Sequence, residues 1–144
     1  MTEDWKFDLK LEEKSLKISF STTMENIDKA DFETRKFLKS LGLESELFSV
    51  SLVMREALTN AVRHGNQYDF NKMINYSISF DDSTLIIDVE DEGNGFNWRS
   101  AQDKEPDPTC DHGRGIIIMR QYFTDYNYNE KGNKLQLIKK IENF

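Results

Sequence analysis

The sequence predicts an α+β fold: a two-layer sandwich of a mostly antiparallel mixed sheet with about three helices on one face. Three observations predict it. Apolar residues alternate with polar ones in several short, paired stretches, which is the period of half-buried strands. Two longer stretches between those pairs carry apolar residues at helical spacing. A third helical stretch precedes a final strand pair.

In chain order, Trp5, Phe7, Leu9 and Leu11 alternate with charged residues, and Leu16, Ile18 and Phe20 alternate with polar ones, giving two strands. Residues 24–41 place Met24, Ile27, Phe37, Leu38 and Leu41 on a helix that Gly42 stops. A second helix is expected over 44–65, with a stripe of Val50, Val53, Met54, Ala57, Leu58, Ala61 and Val62. Ile74, Tyr76, Ile78 and Phe80 share one face of a strand, and Leu85, Ile87 and Val89 share a face of the next. Asp81-Asp82-Ser83 makes the hairpin between them. Residues 97–112 are polar and aperiodic and hold Pro106 and Pro108, a loop long enough to suggest a lid. A third helix opens at Gly113 or Gly115 and buries Ile116, Met119, Tyr122 and Phe123. Strands over 125–129 and 134–141 flank the Lys131-Gly132-Asn133 turn.

Bulk properties narrow the function. The 144 residues are enough for one domain with its own core, and 38% apolar with 31% charged residues suits a globular chain. A net charge of -7 argues against binding nucleic acid or anionic lipid through a basic field. One cysteine, Cys110, permits no intramolecular disulfide and suits a reducing compartment. The first residues lack a basic start followed by an apolar run, and no apolar stretch approaches membrane-spanning length. The expected location is the cytoplasm. His64, His112 and Cys110 are a poor match to a zinc site.

The chemistry concentrates in three segments. In EALTNAVRHGN, residues 56–66, Glu56, Asn60 and His64 stack at i, i+4 and i+8 beside the apolar stripe. A carboxylate and an amide at the border of a core need partners. The Asn60 amide oxygen suits Mg²⁺, which takes oxygen ligands shared with phosphates, and Glu56 one turn away suits a general base. In DEGNGF, residues 91–96, Asp91 shares the parity of Leu85, Ile87 and Val89, so it faces the core. An inward carboxylate requires a donor, and the exocyclic amine of adenine is one. Gly93 and Gly95 allow positive φ or a close approach of backbone to a flat ligand. In HGRGIIIM, residues 112–119, Gly113 and Gly115 lead into a helix whose N-terminus favours an anion, with Arg114 as a phosphate contact. The spacing fits neither a Walker A loop nor a Rossmann fingerprint.

In order and spacing, these three segments resemble the asparagine box and the two glycine boxes of the GHKL ATPase superfamily, over about residues 16–141. Within it, the short single domain, the Asn-Ala-x-x-His-Gly box and the short lid are most similar to bacterial anti-sigma-factor serine/threonine kinases. The resemblance implies the Bergerat ATP-binding fold in one domain spanning 1–144, with an ATP lid at about 97–112. It implies ATP and Mg²⁺ as ligands and a serine or threonine of an anti-anti-sigma (STAS-domain) protein as substrate. It further implies sequestration of a sigma factor and a homodimer, for which the segment from Trp5 to Leu11 is a candidate edge.

The resemblance also assigns residues. Glu56 matches the general base and Asn60 the Mg²⁺ ligand; Asp91 matches the adenine-binding aspartate; Gly93, Gly95, Gly113 and Gly115 match the nucleotide-loop glycines. His64 and Arg114 complete the candidate binding set. The chain departs from the pattern where many relatives carry a late Gly-x-Gly-Thr: here it reads Gly132-Asn133-Lys134-Leu135. Two other functions fit the same boxes, an ATP-sensing module without turnover and a detached histidine-kinase catalytic domain. No dimerisation and phosphoacceptor helical hairpin accompanies the boxes, which counts against a complete sensor kinase.

Overall fold

The computed structural model describes residues 6–93 and 119–141. Its strands are β1 (Phe7–Leu11), β2 (Ser15–Ser21), β3 (Met73–Asp81), β4 (Thr84–Glu90), β5 (Asp125–Tyr128) and β6 (Lys134–Lys140). They form one sheet in the order β1-β2-β3-β4-β6-β5, antiparallel at every described pairing. The chain leaves the sheet after β4, returns at the edge as β5, and turns back to place β6 beside β4. That crossover sets the β5–β6 turn next to the end of β4.

Helices α1 (Met24–Ser40) and α2 (Leu47–Asn60) pack on one face, and residues 119–122 are also helical. The covered face is built from the alternating residues the sequence identifies. Leu16, Ile18, Phe20, Ile74, Tyr76, Ile78, Leu85, Ile87, Val89, Leu135 and Leu137 are buried there against Val50, Val53, Met54, Ala57 and Leu58. Removing that apolar area from water is the main force joining the two layers.

Local signals fix the boundaries. Thr23 caps α1 by accepting the Asn26 N–H at 3.2 Å. At its other end Gly42, at φ +73°, permits a Schellman closure: Gly42 N–H donates to Lys39 and Leu43 N–H to Leu38. Asp82 and Ser83, at φ 50° and 60°, make the two-residue β3–β4 turn.

Two expectations change. The segment at 44–65 is not one α-helix: Glu44–Glu46 form a 3₁₀ turn, α2 ends at Asn60, and Ala61–Gly65 form a π-helical turn. The first strand is less buried than its alternation suggests. Phe7 stacks on Phe20 at 6.1 Å, but Leu9 and Leu11 are exposed at the sheet edge. No helix among the described residues is long and apolar enough to cross a membrane.

Candidate nucleotide site

The strand period carries Asp91 to the helix-covered side just past β4, where it meets the end of α2. A pocket there is lined by Ala57, Asn60, Ala61, His64 and Gly65 from α2 and the π turn. Val89 lines it from β4, Asp91 from just beyond that strand, and Tyr128, Gly132, Asn133 and Leu135 from the β5–β6 hairpin. The structure therefore brings Asn60, His64 and Asp91 together. Glu56 lies one turn before Asn60, half-buried, and is not among the described residues lining the pocket. Gly95, Gly113, Arg114, Gly115 and the expected lid at 97–112 lie outside the described residues.

The π turn has a visible cause in the packing. Asn66 N–H donates to Ala61 O at 2.8 Å, five residues back, and the Asn66 side chain is then buried between three strand ends. Its amide donates to Thr22 Oγ1 at 2.8 Å and to Met73 O at 3.1 Å, and its Oδ1 accepts the Glu92 N–H at 2.7 Å. Sequence reasoning assigned Asn66 nothing. Its only signal is its place as the last residue of the EALTNAVRHGN segment, because its partners lie up to 44 residues away.

Of the two uses expected of Gly93, positive φ and close approach, the structure shows the second. Gly93 is not at positive φ; the described glycines in that region are Gly42 and Gly132. A Cβ on Gly65 would fall inside the Asp91 carboxyl group, and one on Gly93 would strike the Gly65 carbonyl. Both glycines therefore serve close approach, of protein to protein. They let the helix end, Asp91 and the turn after it stack without side chains between them.

Asp91 accepts the Gly93 N–H at 2.8 Å. Burial pushes its carboxyl above the ordinary carboxylate range, opposed by that N–H and by Lys131. Burial also raises the Tyr128 phenol, with Tyr126 and Asp91 adding to the shift. No group of three or more His, Cys, Asp or Glu side chains among the described residues could hold a metal by itself.

A family model for the histidine kinase-like ATPase domain matches residues 20–139, which contain both helices, β3 to β5, nearly all of β6 and every residue lining this pocket. The chain belongs to that family. Among similar proteins, the anti-sigma F factor of Clostridium perfringens is 27% identical over 139 residues, covering 90% of this chain and 98% of that protein. The anti-sigma F factor of Bacillus velezensis is 25% identical over 133 residues, 86% of this chain and 90% of its own. That of Geobacillus stearothermophilus is 32% identical over 80 residues, 55% of each chain.

For a histidine kinase-like ATPase domain the implied ligand is ATP, and the pocket's chemistry fits it. Its lining combines the Asp91 carboxylate, the apolar side chains of Ala57, Ala61, Val89 and Leu135, and the Asn60 amide. The side-chain-free cradle of Gly65 and Gly93 holds that carboxylate in place.

Proposed function

We propose that this chain is an ATP-dependent serine/threonine protein kinase of the anti-sigma type. It phosphorylates an anti-anti-sigma (STAS-domain) partner and sequesters a sigma factor, as a cytoplasmic homodimer that contacts neither nucleic acid nor membrane. Residues 1–144 form its single domain, with a lid at about 97–112. The observation that carries the reading is Asp91 and Asn60 facing one pocket, with Glu56 one helical turn away. The relatives named anti-sigma F factor support the choice of class.

Bound Mg-ATP supplies the phosphoryl group and the charge neutralisation its transfer needs. The chain's own residues do the rest. Asp91 accepts from the adenine amine and so selects the base. Asn60 offers its amide oxygen to Mg²⁺, and His64, with Gly95, Gly113, Arg114 and Gly115, completes the nucleotide contacts. Glu56 takes the proton from the attacking serine or threonine hydroxyl.

Incubation with labelled ATP and the STAS-domain partner tests this, and acid-stable phosphoserine or phosphothreonine on the partner is the expected product. Glu56→Gln is expected to slow transfer by roughly a hundredfold or more with ATP affinity nearly unchanged. Unchanged transfer would remove Glu56 from the mechanism.

A second reading, an ATP-sensing module without turnover, is favoured by one observation: Glu56 does not line the pocket among the described residues. ATP binding with no phosphate on the partner would select it.

A further inference from the structure

We infer that Asn133 is a positioning residue for recognition of the nucleotide base, acting through Asp91. The inference rests on the ATP reading above and adds a residue to it.

Asp91 stands one residue beyond the last β4–β6 pair, Glu90 with Lys134, just before the chain turns at Glu92 and Gly93. A strand end leaving its ladder keeps its position only if other groups satisfy its backbone. Asn133 does so twice. Its carbonyl accepts the Asp91 N–H at 2.9 Å, and its side-chain Nδ2 donates to the Asp91 carbonyl at 2.9 Å. The second bond spans 42 residues and belongs to the side chain alone.

Asn133 is itself held. Its Oδ1 accepts from Asn129 Nδ2 at 2.8 Å. Asn129 Oδ1 accepts the N–H groups of Gly132, Asn133 and Lys134 at 2.8, 3.0 and 3.2 Å. Two asparagines thus freeze the β5–β6 turn, and the frozen turn clamps Asp91. On the opposite side Asn66 Oδ1 holds the Glu92 N–H, so Asp91 sits between two amide anchors. Its carboxylate direction follows from both, and directional recognition is sensitive to small displacements. Asn133 lies in the turn where the chain departs from the late Gly-x-Gly-Thr of the resembling pattern, reading Gly132-Asn133-Lys134-Leu135.

The experiment measures equilibrium binding of ATP and of inosine triphosphate, which carries a carbonyl where adenine has its amine. Wild-type protein is expected to prefer ATP. Asn133→Ala should weaken ATP binding by about tenfold and move the ATP-to-inosine-triphosphate affinity ratio toward one. Asn133→Asp keeps the acceptor for Asn129 but lacks the donor to Asp91, and it should lose the preference as well, even if the alanine variant folds poorly. Melting temperatures separate the roles. A lowered melting temperature with an unchanged affinity ratio would make Asn133 merely structural and overturn the inference. Wild-type protein that binds neither nucleotide would defeat the ATP reading and this inference together. Selective wild-type binding with indifferent Asn133 variants would defeat the inference alone.

Discussion

Asp31 and Asp91 are both carboxylates beside the α2 core, and they are provided for in opposite ways. Asp31, on α1, is buried and surrounded by its complement. Its Oδ1 accepts from Ser51 Oγ at 2.8 Å and Arg35 Nε at 3.2 Å, and its Oδ2 accepts from Arg55 Nη1 at 2.9 Å. Arg55 continues to Asp28, whose contact raises the guanidinium pKa further. Asp91 has one main-chain N–H on its carboxylate among the described residues, from Gly93, and an open pocket in front of it. A carboxylate encircled by cations and a hydroxyl has its charge answered by the fold, whereas one held by a single amide has capacity left for a ligand. Burial by itself does not distinguish structure from function; the completeness of the partner set does.

The largest expected effect tests the Asp91 side of this contrast. Asp91→Asn sets an amide donor against the adenine amine, and ATP binding should weaken by roughly a hundredfold or more. The folded protein should be no less stable, because an ionised group that burial disfavours is gone. Isothermal titration and thermal melting read the two halves, and wild-type-like affinity would end the adenine assignment. Asp31→Ala should do the reverse, costing about 2 kcal/mol of stability while ATP affinity stays unchanged where the protein is folded. A large affinity loss there would mean the α1–α2 contact reaches the site.

The smallest effect is a pH dependence. The folded state raises the Asp91 pKa, so it binds that proton more tightly than the unfolded chain does. As pH falls into the acid range just above the ordinary carboxylate pKa, this group adds stability to the free protein. Over the same window ATP affinity should fall, since the protonated carboxyl no longer offers its full charge to the amine. Affinity that stays flat across that window would place the Asp91 charge outside recognition.

The period of two correctly predicted β2, β3, β4 and β6 and the facing of Asp91, because alternation is a property of each strand by itself. Gly42 as the stop of α1 was equally legible, since its left-handed cap is local. The π turn was not. Regular helical spacing carries α2 on to Gly65, but Asn66 is drawn toward Thr22, Met73 and Glu92, and the last turn widens to let it reach them. The role of Gly93 was half legible, since close approach was expected of it; that of Gly65, whose Cβ would meet the Asp91 carboxyl, was not read from the sequence.

The sequence by itself determined the layers, the order of most elements, and the residue types able to meet ATP, through local periodicity and three spaced boxes. Only the tertiary structure decided which of those residues share a pocket and that the β5–β6 hairpin closes it. It also placed Asn66 and Asn133 on either side of Asp91. Those decisions rest on hydrogen bonds between residues far apart in the chain, and those of Asn133 depend further on where the crossover after β4 returns, which no local pattern encodes.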